Sequence, residues 1–241
     1  ATVVYFPVAA WVWGGGWIMN LGDLLGGLPG VIDYAGGTAV HINAGAAALA
    51  LSIVLGRRVV FRKGAHKPHN VPLVLLGAAL LWFGWFGFNA GAEFLAEGMP
   101  GVGLIVVNTL GATAAAILGW MIVEKLKDGK ATAVGAASGA VAGLVAITPA
   151  CANLTPGFAL VLGVVAGVVS ALAVDWKFKL GYDDSLDVVG LHLVSGLIGT
   201  LFLGFFAIDT GLFTGGDFGQ LTVQAIAAFA VFGLYTSSST A

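Results

Sequence analysis

The chain has 241 residues, of which 59% are hydrophobic and 9% are charged, and its formal net charge is −2. A soluble domain carries about 25% charged residues, so this composition, with a mean hydropathy of +0.98, indicates a membrane protein. The 10 lysines and arginines are too few for the basic face that a nucleic-acid partner requires, which excludes that class. The single cysteine, Cys151, excludes an internal disulfide and is typical of a small buried packing residue.

Apolar runs long enough to cross a bilayer recur along the chain. They cover residues 1–19, 38–56, 71–96, 101–124, 132–150, 156–174, 188–208 and 219–236. These runs are rich in Gly, Ala and Leu and lack the alternation of a lipid-facing barrel, so they predict an all-α polytopic membrane protein with about eight helices in one transmembrane domain, 1–241. The chain begins without Met and ends at TSSSTA, which predicts a fragment or a processed chain.

The charges between the predicted spans alternate in sign. The basic residues fall in three alternate connections and are Arg57, Arg58, Arg62, Lys63, Lys67, Lys125, Lys127, Lys130, Lys177 and Lys179. The other connections carry acids only, namely Asp23, Asp33, Glu97, Asp209 and Asp217. By the positive-inside rule the basic connections face the cytoplasm, which predicts an integral protein of the plasma membrane with a surface suited to anionic lipid headgroups.

Small and aromatic residues inside the spans predict packing and anchoring. Glycines spaced by four residues, as in GAASGAVAG and GVVAG, predict close contact between helices, and further glycines punctuate the run 71–96. Trp11, Trp13 and Trp17 cluster at one outer helix end, as in the aromatic belt of membrane proteins.

Two of the histidines lie within apolar spans. His66 and His69, in RKGAHKPHN, belong to a basic connection and are typical of solvated residues. His41, in GGTAVHINAG, and His192, in DVVGLHLVSGLIG, are different, because an ionisable group inside a span usually faces a cavity or a partner. A lone neutral imidazole bonded to a backbone carbonyl is the alternative for each of them.

The two intramembrane histidines share a local pattern. Each is followed four residues later by a glycine, Gly45 or Gly196, and is preceded at the span entrance by an acid, Asp33 or Asp187. In the predicted topology their helices run in opposite directions, as in transporters built from inverted repeats with the substrate site between them. Two neutral imidazoles can share a proton, so this pair is a candidate lining for a narrow path.

Six motifs in order resemble the ammonium transporter (Amt/Mep/Rh) family: DYAGGTAVHINA, RKGAHKPHNVPL, GWFGFNAG, NTLGATAAAILGW, GAVAGLVAITPAC and DVVGLHLVSGLIGT. The resemblance implies a bundle of eleven helices in two inverted halves, of which this chain lacks the first three and the C-terminal tail. It also implies a homotrimer with a pore in each subunit, ammonium uptake rather than enzymatic catalysis, and no cofactor. A trimeric nitrogen-signalling protein of the PII type is the implied partner on the cytoplasmic side.

The same resemblance assigns candidate site residues. They are the twin pore histidines His41 and His192, the inner gate ring Phe88, the outer recruitment tryptophan Trp13 and the pore-lining Val188. Asp33 matches an acid that organises the ammonium site through backbone contacts, and its position before a span favours a helix cap. The family often has a hydroxyl where this chain has Ala92, followed here by Glu93.

The chemistry of these residues suits a two-stage device. A bare cation is costly in hydrocarbon, whereas neutral ammonia loses only hydrogen bonds. An aromatic vestibule would hold ammonium by cation–π attraction, a constriction would remove its water, and the histidines would accept an N–H and the proton. Three alternatives stay open: an ammonium sensor that does not conduct, a conductor of another small neutral molecule, and an electron-transfer protein with bis-histidine haem.

Overall fold

The computed structural model describes residues 2–61, 68–95 and 99–238, and within these ranges it contains helices and no strand. The α-helices are α1 (Tyr5–Trp13), α2 (Leu21–Leu24), α3 (Asn43–Leu55), α4 (Val71–Ala90), α5 (Val102–Asp128), α6 (Ala133–Ile147), α7 (Pro156–Ala173), α8 (Trp176–Leu180), α9 (Val194–Phe206) and α10 (Phe218–Ser238). Two π-helical turns, Gly37–Ile42 and Val189–Leu193, lead directly into α3 and α9. The predicted all-α class is confirmed.

In the described ranges, 6 segments are long and apolar enough to cross a membrane. They are Gly37–Leu55, Val71–Glu93, Val102–Asp128, Ala133–Ala150, Pro156–Leu180 and Val189–Phe206. The last predicted run lies in α10, whose apolar part is the shorter segment Phe218–Leu234. The first predicted run is helical only as far as Trp13, because Gly15 adopts a φ of +80° that breaks the helix.

Helix ends follow from local chemistry. The side chain of Asn70 accepts a hydrogen bond of 3.0 Å from the backbone N–H of Leu73 and so caps α4. Thr132 does the same for α6 through the N–H of Gly135, at 2.9 Å. At the C-terminal end of α5 the helix stops at Gly129, which adopts the left-handed conformation with a φ of +78°.

Close glycine contacts hold α5 against its neighbours. A methyl group on Gly163 of α7 would lie 2.2 Å from the carbonyl oxygen of Ala112, and one on Gly167 would lie 2.1 Å from that of Ala116. The predicted role of glycines spaced by four is therefore confirmed for α7, which packs backbone to backbone against α5. The glycines of α4 have open space beside them in the described part of the chain, so for α4 close packing stays a prediction.

The basic connections meet at one end of the bundle. Arg58, after α3, forms an ion pair of 2.7 Å with Asp183, which follows α8. Lys127, near the end of α5, pairs with Asp175 directly before α8. The common face predicted from charge alternation is thus present for the described basic residues. Arg62, Lys63, His66, Lys67 and Glu97 lie outside the described residues.

Candidate functional site

His41 and His192 face each other inside the bundle. Their Nδ1 atoms are 3.2 Å apart, and their ring centroids are 5.3 Å apart. A hydrogen bond at this distance requires a protonated Nδ1 on one ring as the donor and an unprotonated Nδ1 on the other ring as the acceptor. His41 is 3% exposed, and its Nε2 has no hydrogen-bond partner among the described residues. The pair therefore keeps an unused ring nitrogen that can bind a small polar molecule.

Each histidine belongs to a π-helical turn. His41 lies in Gly37–Ile42 and His192 lies in Val189–Leu193. A π turn holds one more residue than an α turn, so it rotates the side chains that follow and is frequent at functional sites. The two turns therefore set the directions in which both imidazoles point.

The glycine four residues after each histidine faces the other histidine's helix. A methyl group on Gly45 would lie 2.4 Å from the backbone nitrogen of Leu193. One on Gly196 would lie 3.2 Å from the Cβ atom of His41. The histidine–glycine spacing seen in the sequence thus marks the two positions where the helices touch, which is what brings the rings together.

Asp33 caps the helix of the first histidine. Its Oδ1 accepts hydrogen bonds from the N–H groups of Gly36 (2.9 Å) and Gly37 (2.5 Å), and its Oδ2 accepts from Thr38 (2.9 Å) and Ala39 (3.0 Å). Burial raises the pKa of this carboxyl, and the four N–H groups oppose that effect. Each carboxylate oxygen already accepts two hydrogen bonds, so Asp33 holds the start of the His41 helix in place and has no free oxygen with which to bind a cation.

The acid equivalent to Asp33 in the second half is Asp184, not Asp187 as predicted. Asp184 is buried, precedes His192 by the same interval that separates Asp33 from His41, and accepts the N–H of Val189 at 2.7 Å. The equal spacing to the histidine was the sequence signal that could have found it. Asp187 instead binds Lys177.

Two aromatic rings of α4 line the histidine pair. Trp85 stacks on His41 with ring centroids 5.3 Å apart and planes 14° apart, and its Nε1 donates to the hydroxyl of Thr148 at 2.9 Å. Phe88, one helical turn further along, lies 6.0 Å from His41 and is 41% exposed. The family resemblance named Phe88 as a candidate and did not name Trp85, although their spacing of three places both on one helix face.

The remaining candidates lie at the helix entrances. Trp13 is 41% exposed, and its Nε1 donates to the backbone carbonyl of Asp33 at 2.8 Å, next to the start of the His41 helix. Val188 directly precedes the second π turn. Ala92 is half-buried after α4, and Glu93 turns towards α5, where it accepts the N–H of Gly101 at 2.9 Å.

Other arrangements fit less well. A cavity of about 710 Å³ opens between α3, α8, α9 and α10, but none of the candidate residues lines it. Two axial haem ligands have to leave room for iron and the porphyrin plane between them. Rings whose Nδ1 atoms are 3.2 Å apart leave no such room, so the haem alternative does not fit this pair.

Comparison with known proteins assigns the family. Residues 1–240 match the sequence model of the Ammonium Transporter Family. The chain belongs to this family. An ammonium transporter of Mycobacterium tuberculosis is 55% identical over an alignment of 251 positions, gaps included, that covers 96% of this chain and 51% of that protein. An ammonium transporter of Bacillus subtilis is 47% identical over 219 residues, 90% of this chain and 51% of that protein.

Solved structures of the family superpose well. The crystal structure of Candida albicans Mep2 matches with a TM-score of 0.86 and 36% identity over 99% of this chain and 54% of that one. A structure titled Sensor Amt Protein matches with a TM-score of 0.84 and 30% identity over 98% of this chain and 60% of that one. The chain therefore spans about half the length of the family members that it matches.

Proposed function

We propose that this protein conducts ammonium or ammonia across the membrane along a path lined by His41 and His192. The observation that carries the proposal is the Nδ1–Nδ1 contact of 3.2 Å between the buried His41 and the half-buried His192, which leaves the Nε2 of His41 without a partner among the described residues. In a row of two neutral imidazoles, one Nε2 accepts a hydrogen bond and the other donates one. Such a row can pass a small molecule that both donates and accepts.

The surroundings of the pair favour the neutral molecule. Trp85 and Phe88 form an apolar wall beside His41. A cation between these rings would lose its hydration shell without gaining a carboxylate, whereas ammonia would lose only hydrogen bonds that the histidines replace. Ammonium can transfer one proton to the unpartnered Nε2 of His41, which breaks an N–H bond of ammonium, forms one on the imidazole and leaves neutral ammonia to pass. Potassium has no proton to give up, and it gains nothing from imidazole N–H groups.

Recruitment at the outer end is proposed for Trp13. Its indole is 41% exposed and is fixed by the hydrogen bond to the carbonyl of Asp33. A ring held in this way can bind ammonium on its face with about 0.5 to 2 kcal/mol of cation–π attraction. Both carboxylate oxygens of Asp33 are engaged with backbone N–H groups, and one oxygen of Glu93 accepts from Gly101, so the proposal assigns recruitment to the aromatic face.

Orientation and assembly are further parts of the proposal. In this proposal the end with the clustered basic residues faces the cytoplasm, as the positive-inside rule favours, Trp13 lies outside, and the membrane is the plasma membrane. Family membership supports a homotrimer and a PII-type signalling protein that docks on the basic end. Anionic lipid headgroups are the competing occupants of that surface.

A second candidate function is ammonium sensing without conduction. The structural match to a protein titled Sensor Amt Protein favours it. A sensor has to bind ammonium, but it need not let it through. Binding and flux measured on the same preparation separate the two functions.

Liposomes that contain the full-length protein test the proposal. The measurement is uptake of radiolabelled methylammonium, with ammonium or potassium as competitor and protein-free liposomes as control. We expect saturable uptake that ammonium suppresses and potassium leaves unchanged. Saturable binding without uptake would favour the sensor, and the absence of both would overturn both functions.

A further inference from the structure

The second histidine's helix begins on a weaker cap than the first. Asp33 binds four consecutive N–H groups ahead of His41. Its counterpart Asp184 accepts one backbone N–H, that of Val189. Because helix starts carry several unsatisfied N–H groups, a cap that binds fewer of them constrains the turn less. Another group therefore has to hold the start of the His192 helix in place.

Lys177 is the group that holds the start of the His192 helix. It comes from α8, and its Nζ donates to the backbone carbonyl of Asp184 at 3.0 Å and to the carboxylate of Asp187. The residue is 9% exposed, so its ammonium group is largely shielded from water and depends on these oxygens. Asp187 has a φ of +58°, an unusual conformation for a non-glycine residue that needs outside support.

The clamp formed by Lys177, Asp184 and Asp187 is connected to the turn that contains His192. The carbonyl of Asp187 accepts the N–H of Leu191 at 2.8 Å, inside the π turn that contains the histidine. A shift of the segment 184–187 would therefore rotate or lift His192 relative to His41. A contact of 3.2 Å between ring nitrogens tolerates little displacement before the hydrogen bond is lost.

The same clamp touches the basic end of the bundle. The short helix that carries Lys177 is tied to α5 by the Asp175–Lys127 pair, and the segment after it is tied to the α3 end by Asp183–Arg58. Contacts made by the basic surface thus reach the second histidine through a few direct bonds.

We propose that Lys177 is a positioning residue that holds His192 against His41. This inference rests on the proposed function, because conduction is one of its readouts. Lys177 touches neither imidazole ring. It acts through Asp184 and Asp187.

The test compares Lys177→Met, Lys177→Arg and the control Lys179→Met in the full-length protein. Lys179 is an exposed lysine on the same short helix, so its loss removes equal charge without removing the clamp. We expect Lys177→Met to lower the maximal uptake rate by about fivefold and to leave KM within about twofold, since recruitment lies at the other end. Lys177→Arg should recover at least about half of the rate, and Lys179→Met should match the wild type.

A spectroscopic measurement supplies the second readout. In protein labelled with 15N-histidine, NMR can detect the scalar coupling between the two Nδ1 nuclei across their hydrogen bond. This coupling should be present in the wild type and in Lys179→Met and lost in Lys177→Met. Wild-type rates and an intact coupling in Lys177→Met would overturn the inference. If the wild type transports no ammonium, the proposed function fails, and the coupling alone still decides whether Lys177 positions His192.

A milder variant covers the case in which Lys177→Met does not fold. Asp187→Asn keeps the lysine and its bond to the carbonyl of Asp184 and removes only the charge of the second partner. We expect a smaller fall in rate and a weakened Nδ1–Nδ1 coupling, each in the same direction as for Lys177→Met. A folded Asp187→Asn protein with wild-type rate and coupling would contradict the inference.

Discussion

Gly45 lies so close to Leu193 that a methyl group on Gly45 would stand 2.4 Å from the backbone nitrogen of Leu193 and 2.7 Å from its Cα atom. Backbone atoms cannot move aside as the end of a flexible side chain can. Leu193 directly follows His192, so this contact sets how near the two histidine helices come. The close approach of the two helices therefore also sets the distance between the two imidazole rings.

Gly45→Ala should separate the helices and weaken conduction. Overpacking of this kind costs about 1 to 3 kcal/mol of stability, and here the strain falls beside the histidine contact. The matched control is Gly77→Ala on α4, where an added methyl group meets nothing within 4 Å among the described residues. Melting temperature in detergent and methylammonium uptake check both variants. If Gly45→Ala melts and conducts like Gly77→Ala, the close crossing is not required.

Asp33 should be sensitive to removal of hydrogen-bond acceptors and less sensitive to loss of charge. Asp33→Asn keeps one acceptor oxygen and turns an amide towards two backbone N–H groups, so it should cost about 1 to 3 kcal/mol. Asp33→Ala removes all four hydrogen bonds and should cost more. Chemical unfolding and uptake rank the variants. A well-folded Asp33→Asn protein that is as inactive as Asp33→Ala would indicate instead that the charge itself is needed.

The Arg58–Asp183 pair predicts a stability change in acid. The hydrogen bonds and charge of Arg58 lower the pKa of Asp183 from 3.8 to about 2. A carboxyl whose folded pKa is depressed stabilises the fold above its unfolded pKa and loses that contribution as the pH falls through the folded value. The stability that this pair provides should therefore be complete above pH 3.8 and vanish towards pH 2.

Melting curves of the wild type and Asp183→Asn check this expectation. The difference between their melting temperatures should be constant at neutral pH and should shrink between about pH 4 and pH 2, because protonation removes what the substitution has already removed. Raised salt should reduce the difference at neutral pH, since Arg58 is half exposed. A difference that is independent of pH would show that the ion pair does not join the two basic connections.

The parts of the fold that depend on composition and on residue spacing could be predicted from the sequence. Long apolar runs located the membrane helices, and the charge alternation located the common basic face. The shared histidine–glycine spacing singled out His41 and His192, because helix crossing needs a small residue at a fixed distance from the contact. These features repeat along the chain, so pattern alone can find them.

Other parts depend on contacts that no local pattern records. In the π turns at both histidines the backbone hydrogen bonds join residues five apart instead of four apart. The periodicity of apolar residues does not distinguish such turns from α turns. Trp85 was missed because its stacking on His41 joins two helices that are distant in sequence. The glycines of α4 look like packing residues in sequence and have open space beside them in the described chain.

Ammonium flux through His41→Ala and His192→Ala tests the central claim most directly. Each substitution removes one imidazole from the pair. It leaves in place the helix caps Asp33 and Asp184 and the close contact between Gly45 and Leu193. We expect both variants, reconstituted as full-length protein with melting temperatures near that of the wild type, to lose ammonium conduction or to admit potassium. If both fold and conduct ammonium at the wild-type rate with potassium still excluded, the histidine pair does not line the path.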